Sequence, residues 1–222
     1  MKKSVVLLSA GLDSSVNFLW AKRESEVALA LTFDYGQRAR DREIAAASGL
    51  AAQFNVPHRV IQLPFFADFT ATSLVNTSVE IPRESQISID DYQTSMRTAA
   101  MVWVPNRNGI FLNVAAAFAE GLHADWIVPG FNIEEATTFP DNSEAYLQAA
   151  TGALQYSTAN HVQVKCFTTA MNKTEIATKG RELGLDFHGV WPCYFGGERP
   201  CGTCESCQRF IRATGLRIGD EI

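Results

Sequence analysis

The run Val5-Val6-Leu7-Leu8 leads directly into Ser9-Ala10-Gly11-Leu12-Asp13-Ser14-Ser15, and then into Val16-Asn17-Phe18-Leu19-Trp20-Ala21. The apolar run reads as a buried strand, and the segment from Val16 reads as the start of a helix. Strand, turn of small residues, helix N-terminus is a unit of an α/β sheet, with its turn at a strand's carboxyl end. Successive backbone N–H groups and the positive end of the helix dipole then face one space, an arrangement that binds phosphate. Gly11 is expected to supply backbone angles closed to other residues. Ser9, Ser14 and Ser15 add hydroxyl donors, and Asp13 is placed to cap the helix or to hold a metal ion beside phosphates. The plainer alternative is a strand-to-helix turn with a serine cap. Neither Gly-x-x-x-x-Gly-Lys-Ser/Thr nor Gly-x-Gly-x-x-Gly occurs here, so the loop is neither of those two nucleotide motifs.

The rest of the chain continues the pattern. Residues 26–33, 58–63, 125–129 and 162–167 read as further strands, and residues 40–54, 108–123 and 143–156 as helices. A fifth helix opens on Asn172-Lys173-Thr174-Glu175, which resembles a capping box, and stops near Gly184. Strands alternating with helices predict a doubly wound parallel sheet. Residues 64–105, with Pro64, Pro82 and many Ser, Thr and Asp, read as a long, partly ordered excursion. Because ligands sit at the carboxyl ends of such strands, residues 34–38 and 130–132 join the pocket candidates by position alone.

At 222 residues, the chain has room for one sizeable domain and a small appendage. The expected division is an α/β domain over 1–190 and a cysteine-bearing region over 191–222. A net charge of −5 argues against a chain built mainly to hold a nucleic-acid backbone. No signal peptide or membrane-length run is read, so the expectation is a cytoplasmic protein without a membrane partner.

Four of the five cysteines lie at 193, 201, 204 and 207. Thiolates this closely spaced can converge on one tetrahedral Zn2+, and glycines at 196, 197 and 202 permit the tight turns required. An iron–sulfur cluster is the competing reading, while a disulfide framework does not suit a cytosolic chain. With all four ligands supplied by protein, a zinc here is structural. Trp191 is expected to pack this knuckle against the domain, and Cys166 reads as a small buried hydrophobe.

The loop at Ser9–Ser15 resembles the Ser-Gly-Gly-x-Asp-Ser pyrophosphate (PP) loop of the ATP pyrophosphatases, with Ala10 in place of the first glycine. That substitution is expected to be harmless if residue 10 has ordinary backbone angles. Together with the cysteine spacing, the chain resembles the 7-cyano-7-deazaguanine synthases. Further matches are Phe33-Asp34-Tyr35-Gly36-Gln37-Arg38, Val104-Pro105-Asn106-Arg107-Asn108, Phe139-Pro140-Asp141, Asn172–Glu175 and Cys193-Tyr194-Phe195-Gly196-Gly197. A second departure is Asn142-Ser143, where the family commonly has Cys-Arg after the aspartate.

The resemblance implies an ATP-dependent ligase that turns 7-carboxy-7-deazaguanine and ammonia into the nitrile through adenylated acid and amide intermediates, a step toward queuosine. It implies ATP, Mg2+ and Zn2+, small-molecule substrates, no stable nucleic-acid partner, and a homodimer. Residues 8–16 (Leu8, Ser9, Ala10, Gly11, Leu12, Asp13, Ser14, Ser15, Val16) are expected to hold ATP. Asp13, Lys173 and Arg107 are expected to act in catalysis: Asp13 by holding a metal ion beside the phosphates, Lys173 by neutralising phosphate charge, and Arg107 by clamping phosphate or carboxylate. Tyr35, Gln37, Arg38, Arg107, Asn108, Asn132, Phe139 and Asp141 are expected at the substrate, as stacking rings, amide partners and charged clamps. Cys193, Cys201, Cys204 and Cys207 are expected on the metal. The rivals are a relative that stops at the amide or acts on another carboxylate or a macromolecule, a tRNA-thiolating enzyme, for which only Cys166 lies outside the metal set, and a nucleic-acid-binding zinc module.

Overall fold

The computed structural model describes residues 1–218. Five parallel strands form one sheet in the order β3-β2-β1-β4-β5: β1 Lys3–Leu7, β2 Glu26–Asp34, β3 His58–Gln62, β4 Trp126–Val128 and β5 Gln163–Val164. Val5 and Val6 of β1 are both fully buried and belong to different hydrophobic clusters, one on each face. That double burial is why this strand reads as an unbroken apolar run. Chain order reverses between β1 and β4, so their carboxyl ends open the crevice where a doubly wound sheet takes its ligand.

Helices cover both faces: α1 Leu12–Glu24, α2 Arg40–Gln53, α3 Phe66–Phe69, α4 Tyr92–Val102, α5 Arg107–Gly121, α6 Ile133–Ala136, α7 Glu144–Ser157, α8 Lys173–Leu183 and α9 Glu205–Thr214. The capping box at α8 is present in full. Asn172 accepts from the Glu175 N–H at 2.9 Å, and Glu175 accepts from the Asn172 N–H at 2.8 Å. Gly184 ends the helix at φ +78°, where glycine carries no side-chain penalty.

Four expectations need correction. Residues 64–105 contain the helix α4, which packs through Ser95, Thr98, Ala99 and Val102. Ser95 donates to the Ser88 carbonyl at 2.7 Å and Thr98 to Glu205 at 2.9 Å, so hydroxyls are buried where the sequence pattern seeks apolar residues. The last strand is only two residues long. The first helix begins at Leu12, so Gly11 is its N-cap residue and Asp13 lies inside its first turn. Finally, Gly11 has ordinary angles (φ −69°) and Ala10 has the positive φ, +58°. The strained position is therefore the one where the related loops carry glycine.

The cysteine region shares the main core: Cys193, Cys204 and Cys207 are buried in the cluster that contains Val5 and Leu112. α9 packs on α8, and Arg83 forms an antiparallel bridge with Cys204. No helix among the described residues is long and apolar enough to cross a membrane.

Candidate functional site

A cavity of about 230 Å³ opens at the carboxyl ends of β1, β2 and β4. One end is the loop after β1, represented by Ser9, Gly11, Leu12, Asp13 and Ser14 together with Leu8. The loop lies against Gly130, where a Cβ would stand only 2.5 Å from the Ser14 nitrogen. Glycine is thus required there by close approach of backbone to backbone. The Trp191 backbone N–H also donates to the Ala10 carbonyl at 2.8 Å.

Beneath the loop lies a charged triad. Lys173 Nζ stands 2.5 Å from Asp13 Oδ2 and 2.7 Å from Glu135 Oε1. Asn132 donates to the same Asp13 oxygen at 3.0 Å and also caps α6. Burial pushes the Asp13 carboxyl up to about 6, against the pull of Lys173. Burial acts likewise on Glu135, but there Lys173 prevails and holds it below the usual carboxylate range. Burial alone would lower Lys173, yet the two carboxylates outweigh it and keep the ammonium charged. Asp13 Oδ1 is buried with no hydrogen-bond partner. An unpartnered hard oxygen on a residue that lines the cavity has the donor chemistry a divalent cation such as Mg2+ takes.

The other end of the cavity is aromatic. Phe33 and Phe111 stack at 4.1 Å between centroids, and Tyr35 packs on Phe111. Arg107 donates to the Tyr35 hydroxyl at 3.2 Å, and Asn108 and Glu43 complete this end.

Other predicted residues do not line the cavity. Ser15 and Val16 follow the turn of α1 into the core, and the Ala10 methyl is buried there too. Gln37 is committed locally: it accepts from the Tyr35 N–H at 3.0 Å and donates to the Phe33 carbonyl at 2.9 Å and to Glu43 at 2.8 Å. Arg38 donates to the carbonyls of Asn76 and Val79 and pins the following loop. Asn132 acts through Asp13. Phe139 stacks on Trp103, with planes 5° apart. Asp141 accepts from Asn142, which does line the cavity, and burial raises its carboxyl despite Arg107. Ser143 caps α7 by accepting from the Tyr146 N–H at 3.2 Å. A helix cap is thus what the second departure from the family pattern supplies.

Sequence reasoning missed Glu43, Glu134 and Glu135. Glu134 accepts from the Lys173 backbone N–H at 2.8 Å and pairs with Arg209 and Arg212 of α9 at 2.8 and 2.9 Å. The one available signal was position: Glu134 and Glu135 follow the strand-end residues 130–132.

The sulfur atoms of Cys193, Cys201, Cys204 and Cys207 all lie within 4.8 Å of one another, and those of Cys201 and Cys207 are 3.9 Å apart. A tetrahedron with metal–sulfur bonds of about 2.3 Å has edges of about 3.8 Å, so the set fits a zinc-type ion. Backbone N–H groups of Phe195 and Cys201 point at the Cys193 sulfur, both at 3.3 Å. Hydrogen bonds from Cys204 and Cys207 favour the thiolate at Cys193, while the bond to Cys193 holds Cys204 protonated. Competition of this kind among crowded thiols disappears when a cation favours every thiolate.

Comparison with known proteins agrees on one family. The family model described as "Queuosine biosynthesis protein QueC" matches residues 3–218. A Bdellovibrio bacteriovorus protein named 7-cyano-7-deazaguanine synthase is 53% identical over 213 residues, 96% of this chain and 92% of its own length. Its namesake from Pelotomaculum thermopropionicum is 51% identical, over 97% of this chain and 99% of its own. Among solved structures, an NMN synthetase from Francisella tularensis superposes with a TM-score of 0.50 at 13% identity, covering 98% of this chain and 79% of that one. This last likeness bears on the fold alone.

Proposed function

The chain belongs to the QueC family of queuosine biosynthesis proteins, and from that premise we propose that it converts 7-carboxy-7-deazaguanine, ammonia and ATP into 7-cyano-7-deazaguanine. The observation that carries this reading is one cavity that joins a phosphate-type loop, a charged triad and an aromatic platform. A carboxylate is a poor electrophile because its oxygen leaves badly. Attack of that oxygen on the ATP α-phosphorus gives an acyl adenylate and releases pyrophosphate. Ammonia then displaces AMP and leaves the amide. Adenylation of the amide oxygen, followed by loss of AMP and a proton, gives the nitrile.

Positioning and charge neutralisation dominate such phosphoryl transfers. The N–H groups and hydroxyls of Ser9–Ser14 face the departing pyrophosphate. Lys173, held by Asp13 and Glu135, offers its cation to the phosphates at a helix N-terminus. Arg107 faces the substrate carboxylate, and Phe33, Tyr35 and Phe111 flank its ring. Asp13, through its unpartnered Oδ1, would hold Mg2+, which would supply neutralisation of charge on the triphosphate. Zn2+ on the four cysteines is structural.

The same reading includes a cytoplasmic homodimer with no stable nucleic-acid partner. Phe65 and Phe69 stand 41% and 55% exposed beside the fully buried Phe66, an aromatic face for a second copy to cover. Sedimentation velocity is expected to show a dimer; a monomer at micromolar concentration refutes that part.

The test of the reaction is mass spectrometry of the protein with 7-carboxy-7-deazaguanine, ammonium and Mg-ATP. Nitrile together with AMP is expected. Amide alone, or no product from folded, metal-loaded protein, overturns the assignment.

A further inference from the structure

Among the cavity residues, Glu43 has no role so far. It sits in the first turn of α2 and reaches the aromatic end of the cavity. Gln37 donates to its Oε2 at 2.8 Å, and Gln37 is itself fixed by backbone groups of Tyr35 and Phe33. Among the described residues, no cation lies within salt-bridge distance of Glu43. Arg107 acts on it only through space and spends its hydrogen bond on the Tyr35 hydroxyl. Burial accordingly raises the Glu43 carboxyl above its usual range. Holding a carboxylate in a cavity without an ion pair is costly. Here a neighbouring amide also orients it, and a carboxylate has about four acceptor positions, of which Gln37 takes one.

We propose that Glu43 is the specificity residue for the substrate's ring, accepting the ring N–H and the adjacent exocyclic amino group together. This rests on the function proposed above. The protein must bind two purine-like rings and keep them apart. A 7-deazaguanine presents two neighbouring donors, which match the two oxygens of one carboxylate. The adenine of ATP presents a donor beside an acceptor, and that acceptor would face the carboxylate's own lone pairs. Glu43 therefore favours the deazaguanine ring and disfavours adenine at the aromatic end, which directs ATP to the phosphate-loop end. Phe33, Tyr35 and Phe111 supply flat contacts that either ring would accept, so they cannot make this choice.

Calorimetry on the metal-loaded protein tests the proposal with three probes: 7-carboxy-7-deazaguanine, its analogue lacking the 2-amino group, and ATP. The wild-type protein is expected to bind the analogue at least about tenfold more weakly than the full substrate. Glu43→Gln replaces one acceptor with a donor that opposes the ring N–H. It is expected to weaken substrate binding by about 5- to 150-fold, to bind substrate and analogue nearly alike, and to leave ATP affinity within about twofold. Equal affinity of the wild type for substrate and analogue overturns the proposal without any variant. So does a folded Glu43→Gln protein that keeps full discrimination, or one that loses ATP and substrate affinity in parallel. Turnover separates the two levels. A wild-type protein that makes the nitrile yet ignores the 2-amino group defeats only the role of Glu43. One that binds no deazaguanine defeats the proposed function and this inference together.

Discussion

Two loops in this protein each present a binding surface, and they are ordered by different means. The loop at Ser9–Ser15 is fixed from outside. β1 and α1 hold its ends, the Gly130 backbone presses on Ser14, and Trp191 donates to Ala10. The chain from Cys193 to Cys204 contains no helix or strand. Its order comes from N–H groups aimed at sulfur and the Arg83 bridge, around four sulfurs spaced as a metal ion would require. The first loop is preorganised by packing, so it can spend its binding energy on the ligand. The second, on the proposed reading, would use a metal ion to become part of the fold. They are coupled: α9, which carries Cys207, reaches the triad through Arg209, Glu134 and the Lys173 backbone.

Changing chemistry without changing fold is the strongest way to test that contrast. Asp13→Ala removes the hard oxygen and one of two anionic partners of Lys173, while Glu135 still pairs with the ammonium. ATP turnover is expected to fall by about 10²–10³-fold, the scale of losing a preorganised electrostatic partner. Zinc content, read by mass spectrometry, stays unchanged. A fully active variant would defeat the assignment of the triad. In the wild type, Mg-ATP affinity is expected to weaken as pH falls through about 6, where Asp13 takes up a proton. For stability the two carboxylates oppose each other. Asp13, with its raised pKa, contributes stability at low pH that is lost as pH rises from about 4 to about 6. Glu135, with its lowered pKa, contributes stability that is lost as pH falls through the acid range. A titration of ATP binding therefore moves more than a titration of melting temperature.

Removing the ion strikes the other loop. Chelation, or Cys204→Ser, is expected to cost about 3 kcal/mol and to lower the melting temperature by roughly 6–12 °C. Zinc add-back restores the chelated protein but not the variant. A melt unchanged by a strong chelator, in protein shown to have lost its metal, would contradict this contrast.

What the sequence reveals follows the same division. The strand, loop and helix at residues 3–24 are legible because every determinant is local: an apolar run, small residues, then helix formers. The cap of α8 and the four cysteines are equally local. Glu135 is not, because its role depends on Lys173 arriving 38 positions later, on another helix. Helix α4 is hidden because its buried face carries Ser95 and Thr98, whose partners Ser88 and Glu205 are known only from the fold. Gln37 is legible as part of a motif but misleading about contact, since it touches Glu43 and backbone and lies outside the cavity lining. The demand for glycine-like backbone is displaced by one residue at the loop, where the positive φ falls on Ala10, and is hidden at 130, where it arises from backbone approach to Ser14.

Smaller perturbations probe how stiff the first loop is. Gly130→Ala sets a methyl against Ser14, which is expected to cost about 1–3 kcal/mol of overpacking. The loop, as the movable partner, shifts, so KM for ATP rises about tenfold while zinc binding stays intact. Arg209→Met breaks the link between the loops and leaves Arg212 on Glu134. The expected loss is about 1–2 kcal/mol of stability, with kcat reduced several-fold and metal retained. If kcat is untouched while stability falls, the two loops share only a scaffold.

Ala10→Gly is the mildest change and the sharpest test of preorganisation. At φ +58°, an alanine carries about 1–2 kcal/mol of strain that glycine lacks. Against this, glycine makes the unfolded chain more flexible, which costs about 0.4–1 kcal/mol. The Ala10 methyl is also fully buried, and deleting it forfeits about 0.8 kcal/mol of transfer energy. The terms cancel to within about 1 kcal/mol, so the melting temperature is expected to move by no more than about 4 °C, with KM for ATP unchanged. Near-neutrality explains how alanine can stand where related loops have glycine: the packing that fixes the loop also repays the strain. A loss of about 2 kcal/mol or more, or a raised KM, would mean that the methyl itself holds the loop in shape, and that the phosphate site depends on a side chain as the cysteine loop does.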